Sequence, residues 1–287
     1  MKILVTGAGG GSGLSTIRIL KNTTEHTVIG ADCNCFSSGL KLADYEVVLP
    51  KADSPHYLDA VIKIIDKYEI DIIIPNVDDE LEIFAANKAK LHQVLISPPK
   101  TIKVCNDKLQ TIKTLSKVVN TPITYNEDNL DNIVFPVVLR PRISRGSRNI
   151  FIIKNRHQLD LLRGYFDSMG IFREKRILQE YLPGEEYTID CLFDMQGKII
   201  VAVPRRRITT QGGVCSIGRT EHNNVLIKSV QKISDVLDFE GPVNIQFRSD
   251  PHGVLKLLEI NPRIAGAVPI TLCAGVNIPD LSIKMFF

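Results

Sequence analysis

The chain has 287 residues, of which 44% are hydrophobic and 23% charged, with a net charge of +3. These proportions are typical of a globular protein of two or three domains, and the weak charge, without a basic run carrying interleaved aromatics, argues against a nucleic-acid partner. With scattered cysteines, no apolar run of the ~20 residues that a membrane span needs and no signal peptide, we expect a cytoplasmic protein without a membrane partner.

The first third of the chain alternates strand and helix patterns. Apolar, β-rich runs predict strands at residues 2–6, 27–31, 47–49 and 71–75, and helical spacing of apolar residues predicts helices at 14–21, 57–68 and 79–90. Such alternation indicates an open parallel α/β sheet. We place its end at residue 99, in the Pro98-Pro99 pair.

From Thr101 onward the pattern changes to strands with interspersed helices. Helices are predicted at 108–119, 158–169 and 224–237, and strands at 135–140, 149–154, 177–181, 187–194 and 198–204, followed by two strands spanning 244–261. Residues 196 and 197 read as the turn of a hairpin. We therefore expect an α+β domain over residues 100–287.

A glycine-rich segment follows the first strand, with Gly7, Gly9 and Gly13 opening a helix. This context suits a dinucleotide loop, and Asp32 after the second strand could hold the ribose, as in a nicotinamide-dependent oxidoreductase. The spacing is off, however, because the third glycine of G-x-G-x-x-G would fall on Ser12 or Leu14. A tight turn that needs glycine for steric reasons is the favoured interpretation.

Two segments in the second half have the composition of nucleotide-binding loops. The strand 135–140 ends at Arg140 and continues into the Ser/Gly/Arg loop 141–148, which could cover phosphates or form a plain polar hairpin. The stretch 177–190 ends a strand at a tight acidic turn. Its backbone could bind an adenine edge and a carboxylate the ribose, although a solvated acidic turn has the same composition.

The most informative motif lies near residue 260. Asn244-Ile-Gln246-Phe is followed by Leu257-Leu-Glu259-Ile-Asn261-Pro-Arg263. Glu259 and Asn261 share strand parity and therefore one face, and a neighbouring strand could bring Gln246 to the same point. Such oxygen ligands hold Mg²⁺ when phosphates complete its shell. The alternative is an edge strand whose polar side chains face solvent.

With these residues in view, the chain resembles the ATP-grasp superfamily, and within it the carbamoyl-phosphate-synthase-like branch. The motif just described carries the resemblance most specifically, followed by Phe-Pro-Val-Val-Leu-Arg-Pro at 135–141. The resemblance spans nearly the whole chain. It implies a Rossmann-like pre-ATP-grasp domain at 1–99 and a two-lobed ATP-grasp domain at 100–287, with a small lid lobe at about 121–182.

The resemblance also implies roles for individual residues of this sequence. Arg263 and Arg140 are expected to act on the reacting phosphoryl group, and the metal ligands to be Gln246, Glu259 and Asn261. The expected ATP-binding residues are Lys108, Arg140, Ser144, Gly146, Ser147, Glu180, Tyr181, Leu182 and Glu186. A substrate carboxylate is assigned to Arg205, Arg207 and Gly213, for which a solvated basic turn is the alternative.

The activity that the resemblance implies is that of a ligase using ATP and Mg²⁺, or Mn²⁺ in its place. Such an enzyme activates a carboxylate as an acyl phosphate, which an amine then attacks, and similar proteins are often homodimers. The arginine-rich loop 142–148 keeps a second hypothesis open, an ATP-binding protein of degenerate activity. The oxidoreductase that uses the glycine loop is the third.

Overall fold

The structure, a computed structural model, describes residues 1–91, 93–126, 130–144, 149–170 and 175–287. Three sheets organise these residues: a parallel one near the N-terminus and two antiparallel ones after it. None of the helices in the described ranges is long and apolar enough to cross a membrane.

The N-terminal sheet has four parallel strands in the order β3-β2-β1-β4. The strands are β1 (Lys2–Thr6), β2 (Thr27–Asp32), β3 (Tyr45–Val48) and β4 (Ile72–Ile74), and the helices are α1 (Gly11–Thr23), α2 (Tyr57–Tyr68), α3 (Asp78–Ala86) and α4 (Lys88–Leu91). Strands β1 and β4 are almost continuously apolar because packed side chains cover both faces of the sheet. The helix predicted at 79–90 is interrupted at Asn87.

Two short helices lead into the smaller antiparallel sheet. They are α5 (Pro99–Asn106) and α6 (Lys108–Leu115), and the sheet consists of β5 (Thr124–Tyr125), β6 (Val137–Pro141), β7 (Phe151–Ile153) and β8 (Arg176–Glu180), with α7 (Arg156–Ser168) beside it. The strand order is β5-β8-β6-β7. Helix α5 is missing from the sequence prediction, because Pro98-Pro99 reads as a break, whereas Pro99 opens the helix.

The larger antiparallel sheet has five strands in the order β11-β10-β9-β12-β13. They are β9 (Glu186–Phe193), β10 (Ile199–Gln211), β11 (Val214–Thr220), β12 (Gly241–Ser249) and β13 (Leu255–Asn261), with α8 (Asn224–Ser234) between β11 and β12 in the chain. Helix α8 buries Leu226, Val230 and Ile233 against one face of this sheet, where Ile245 and Phe247 lie. Polar side chains are therefore left on the other face.

The last two helices, α9 (Val268–Cys273) and α10 (Ile278–Phe286), pack on the N-terminal sheet. Their residues Val268 and Ile283 belong to one buried cluster with Ile3, Val5 and Ile17. One core is thus built from both sides of residue 99. The division of the chain at that residue stays a prediction, while the predicted combination of a parallel α/β sheet with antiparallel α+β sheets is confirmed.

Candidate functional site

The polar face of the five-stranded sheet carries the residues of the 244–261 motif. In the antiparallel pair β12–β13, Gln246 lies opposite Glu259 and Asn244 opposite Asn261. Strand β9 adds Asp190, which lies opposite Asn244. Directly opposite residues share a face, so these side chains line one surface, away from the core under α8.

Their amides and carboxylates form a hydrogen-bonded row. The Asn261 amide donates to Asn244 Oδ1 at 3.4 Å and to Glu259 Oε1 at 3.3 Å, and Gln246 Nε2 donates to Asn244 Oδ1 at 3.2 Å. Within the described ranges no three His, Cys, Asp or Glu side chains gather as a metal site would need. Glu259 is thus the one carboxylate among the three predicted ligands, beside two amide oxygens.

A buried lysine stands beside this carboxylate. Lys108 Nζ lies 3.8 Å from Glu259 Oε2 and donates to the Ser144 carbonyl at 3.1 Å and to its hydroxyl at 3.3 Å. Burial lowers the pKa of Lys108, and Glu259 opposes that effect. The ammonium is therefore held at a fixed place where an anion would strengthen its charged form.

Arg263, two residues after Asn261, is held by the N-terminal part of the chain. Its Nε donates to Asp78 Oδ1 at 2.6 Å and its Nη2 to Asp78 Oδ2 at 3.1 Å. Burial disfavours the guanidinium charge, but the Asp78 carboxylate outweighs burial, so the pKa of Arg263 is raised. Asp78 is the first residue of α3, and this helix therefore fixes a cation at the rim of the polar face.

A cavity of about 130 Å³ opens on the polar face. Its lining includes residues of β9, β10, β12 and β13 together with the loop that follows Arg263. The members are Asp78, Ser144, Glu186, Thr188, Arg205, Arg207, Gly212, Gly213, Val214, Cys215, Asn244, Gln246, Glu259, Asn261, Arg263, Ala265, Gly266 and Ala267. The geometry thus gathers carboxylate, amide and guanidinium groups around one small space.

Comparison with known proteins assigns both parts of the chain. Residues 172–287 match the family described as "ATP-grasp in the biosynthetic pathway with Ter operon", and residues 3–98 match the family described as "PylC-like, N-terminal domain". The chain carries an ATP-grasp domain behind a PylC-like N-terminal domain. The predicted resemblance to the ATP-grasp superfamily is confirmed.

Individual relatives extend the likeness beyond these matches. The arginine-specific large chain of carbamoyl phosphate synthase from Bacillus subtilis (strain 168) is 23% identical over 271 residues, covering 83% of this chain and 26% of the relative. This chain therefore spans about a quarter of that relative's length.

Solved structures show the same fold over almost the whole chain. The biotin carboxylase–β,γ-ATP complex from Campylobacter jejuni has a TM-score of 0.79 at 17% identity, covering 99% of this chain and 70% of that one. The L-amino acid ligase from Bacillus licheniformis has a TM-score of 0.75 at 17% identity, covering 99% and 72%. At such identities these structures establish the fold alone.

Of the described residues that were predicted to bind ATP, Ser144 and Glu186 line the cavity. Glu186 lines the cavity and pairs with Arg207, whose Nε lies 3.2 Å from its Oε1, and with Arg248 at 3.8 Å. Glu180 forms an ion pair with Lys256. Tyr181 donates its backbone amide to Pro136 O at 3.2 Å, and Leu182 is buried. Gly146 and Ser147 lie outside the described residues.

Arg140 lies behind the site. Its Nε donates to Gln179 Oε1 at 2.9 Å and its Nη2 donates to Leu258 O at 3.1 Å, so the guanidinium holds the backbone of β13 next to Glu259. Burial lowers the pKa of Arg140, with Glu259 again opposing. The contacts bring Arg140 close to the predicted metal ligands but place it outside the cavity lining.

The arginine run was predicted to follow a strand that ends at Pro204, and this expectation is wrong. Strand β10 continues to Gln211, so that Arg205 and Arg207 point from a strand into the cavity. Arg205 is only 1% exposed, and Asp190 binds its Nε at 2.7 Å and its Nη2 at 3.0 Å. The alternative of a solvated basic turn is therefore excluded for Arg205.

Gly213 lies at the tip of the hairpin, where its carbonyl accepts from Arg207 Nη2 at 2.6 Å. Sequence reasoning missed strand β11, which follows it. The signal was available, because a Gly-Gly pair between two β-rich runs is typical of a hairpin. Both glycines of the pair have positive φ, +54° and +79°, as a primed two-residue turn requires.

Sequence reasoning also missed three residues of the site. Asn244 shares strand parity with Gln246 in the motif itself, so parity could have found it. Asp190 stands at the end of the acidic stretch and could have been paired with Arg205. Asp78 carries no local signal, because its partner Arg263 lies 185 residues away.

The glycine-rich loop of the PylC-like domain is built for close packing. A side chain at Gly13 would bring its Cβ to 2.2 Å from the Gly7 carbonyl oxygen. Asp32 accepts the Gly9 amide at 2.7 Å, which places a carboxylate where a pyrophosphate would need that donor. Both observations favour the steric interpretation of the loop over a dinucleotide site.

Proposed function

We propose that this ATP-grasp protein is a ligase that uses ATP and Mg²⁺ to activate a carboxylate as an acyl phosphate for attack by an amine. The observation that carries the proposal is the register of β12 against β13. It sets Gln246 opposite Glu259 and keeps Asn261 on the same face. Lys108, 3.8 Å from Glu259, adds the fixed cation that suits a triphosphate.

The donor set suits a metal that is bound together with a nucleotide. Glu259 supplies a carboxylate, and Gln246 and Asn261 supply amide oxygens. Mg²⁺ is usually held by one or two protein carboxylates plus substrate phosphates, and Mn²⁺ accepts similar ligands. A metal held by Glu259, Gln246 and Asn261 would supply positive charge that offsets the charge developing during phosphoryl transfer.

In this proposal the chain's own cations are positioned before substrate arrives. Arg263 is fixed by Asp78 and Lys108 by Ser144. Charges that need no rearrangement stabilise a transition state better than mobile ones. Arg140 holds β13 and remains a proposed phosphate contact, and the segment from Glu180 to Leu182 is the proposed adenine site, with Glu186 on the ribose.

The substrate carboxylate is assigned to Arg205 and Arg207, which line the same cavity as Glu259 and Arg263. A guanidinium binds a carboxylate through two parallel donors and keeps its charge at any physiological pH. The proposed amine approaches from the same cavity. Amide or peptide-type bond formation follows from these assignments.

The proposal is tested by calorimetric titration of Mg²⁺ with a non-hydrolysable ATP analogue, and by an ADP-release screen over carboxylate–amine pairs. We expect analogue binding that depends on Mg²⁺, and ADP release that requires both a carboxylate and an amine. Glu259→Gln should lower ADP release and weaken the apparent Mg²⁺ affinity by at least ~10-fold.

Asp238→Asn is the matched control, since it removes an exposed carboxylate from the same half of the chain. Undiminished carboxylate-dependent ADP release by Glu259→Gln would overturn the metal assignment. Analogue binding with no ADP release for any pair would indicate a nucleotide-binding protein of degenerate activity. NADH binding without Mg-ATP binding would favour an oxidoreductase.

A further inference from the structure

The tip of the β10–β11 hairpin closes one side of the cavity. Val214 directly follows the Gly212–Gly213 turn and lines the cavity with Arg205 and Gly266. Val214 belongs to β11 and Glu259 and Asn261 to β13, which are the two edge strands of the five-stranded sheet. The volume left, about 130 Å³, is well below the ~300–1,000 Å³ typical of drug-sized ligand sites.

Two glycines form the surface on which Val214 rests. A Cβ added at Gly11 would lie 3.3 Å from Val214 Cγ2, and one added at Gly266 would lie 3.2 Å from Val214 Cγ1. Both distances are shorter than ordinary contacts, so the valine fills the space that the absent side chains leave. Gly11 belongs to the glycine-rich loop, which thereby supplies part of the cavity wall.

The wall is tied to the rest of the molecule. Ser12 Oγ donates to the Ile264 carbonyl at 2.6 Å, and Ser15 Oγ donates to the Gly266 carbonyl at 2.8 Å. The loop after Arg263 is therefore fastened to the start of α1. Both supports of Val214 are therefore held in place by hydrogen bonds.

Arg205, which lines the same cavity, has one buried donor without a hydrogen-bond partner among the described residues. Its Nε and Nη2 bind Asp190, but Nη1 has no hydrogen-bond partner in the part of the chain that the structure describes. The Cys215 thiol beside it is a weak acceptor. A buried guanidinium nitrogen without an acceptor is unfavourable, and a ligand oxyanion would satisfy it.

We propose that Val214, supported by Gly11 and Gly266, limits the substrate of this site to a compact carboxylate whose oxygen accepts from Arg205 Nη1. The inference rests on the proposed ligase function and names its substrate class. It gives the glycine-rich loop a part in specificity that requires no bound dinucleotide. Removing methyl groups at Val214 should then admit bulkier carboxylates.

The test measures carboxylate binding directly, by ligand-observed NMR titration of acetate, butyrate and benzoate with Mg²⁺ and a non-hydrolysable ATP analogue present. Wild type should bind acetate at least ~10-fold more tightly than benzoate, the discrimination that small steric differences provide. Val214→Ala should reduce that ratio by about the same factor. Val236→Ala, at a valine of similar exposure (42% against 40%), should leave it unchanged.

Gly11→Ala is a second variant. Its new methyl group would make a tight contact with Val214, and we expect this variant to bind butyrate more weakly than wild type does. Combined with Val214→Ala, the same methyl fills vacated space, so the double variant should return toward the wild-type profile. Equal affinity of wild type for the three acids, an unchanged ratio in Val214→Ala, or no binding of any acid would overturn the inference.

ADP release is recorded separately on the same variants. A size-dependent binding profile without carboxylate-dependent ADP release would contradict the ligase proposal and leave the size limit standing. Carboxylate-dependent ADP release with no size preference would contradict the size limit and leave the ligase proposal standing. The two proposals therefore fail in different measurements.

Discussion

Asp78 holds Arg263 through two hydrogen bonds, of 2.6 and 3.1 Å, across 185 residues of sequence. The aspartate opens helix α3 of the N-terminal part, and the arginine ends the metal-ligand motif. The pair makes the position of a proposed catalytic cation depend on the N-terminal fold. A charge-assisted contact between two planar groups fixes orientation as well as distance.

Asp78→Asn should therefore reduce catalysis more than nucleotide binding. The amide keeps the shape but removes the counter-charge, and we expect a stability loss of about 1.5–3 kcal/mol, as for hydrogen bonds to charged groups. Urea unfolding measures this loss, and kcat for ADP release should fall while affinity for the ATP analogue stays within about twofold. Asp59→Asn, in the first turn of α2, is the control, and an equal effect of both changes would contradict the assigned role.

The buried pair of Arg205 and Asp190 should show strong coupling. Removing one partner leaves an uncompensated buried charge, so Arg205→Met and Asp190→Asn should each cost about 3–5 kcal/mol. The double variant should lose clearly less than the sum of the two, since no isolated charge remains. Urea unfolding of all four proteins completes the cycle, and simple additivity would show that the pair is not coupled.

Glu80 should make stability depend on pH. Its carboxylate is buried and accepts from Thr6, Tyr57 and the amides of Asn76 and Val77, the latter two at 3.0 Å. Burial raises the pKa of Glu80 above its usual 4.5, although these donors oppose the effect. The folded state then binds more protons than the unfolded one. The contribution of Glu80 to the free energy of unfolding is therefore fully present below about pH 4.5 and is lost as pH rises through the pKa of the folded state.

Glu80→Gln should remove this pH-dependent contribution to stability. The free energy of unfolding, measured by urea titration between pH 4.5 and 8, should vary less with pH in the variant than in wild type. Glu82→Gln changes an exposed acid on the same helix and should keep the wild-type slope. Identical pH profiles for wild type and Glu80→Gln would refute the assignment.

Ile283 tests whether the shared core joins the two parts of the chain. It is 1% exposed in α10 and belongs to the cluster that contains Ile3 and Val5. Ile283→Ala should cost about 2–5 kcal/mol, as for other large-to-small core changes. Amide hydrogen exchange should show lower protection in β1 as well as in α10. Ile208→Ala, at a 58% exposed position, should change neither, and a loss confined to α10 would argue against a common core.

Strand periodicity predicted the arrangement of the metal-ligand motif well. The parity of Glu259 and Asn261 placed them on one face, and the observed register puts Gln246 opposite Glu259. This succeeded because alternation is a local property that survives folding. The fold class followed in the same way, from the change of pattern after residue 99.

Local sequence patterns could not predict the contacts between elements that are distant in the chain. The sequence left a solvated turn open as the alternative for the three consecutive arginines, and Asp190 on the neighbouring strand explains why Arg205 is buried. Asp78 owes its role to a partner near the other end of the chain. The final helices α9 and α10 were not predicted, because their apolar residues are matched to a surface of β1 and α1 that lies about 250–280 residues earlier.

The shared core sets an order of events during synthesis. Ile3, Val5 and Ile17 are synthesised before Val268 and Ile283, which complete their packing and come roughly 250–280 residues later, a delay on the order of 10–60 s at ~5–20 residues per second. Until then the nascent N-terminal sheet carries an uncovered apolar surface, the kind that holdase chaperones bind. Synthesis of α9 and α10, and not completion of the first sheet, is what allows this surface to close.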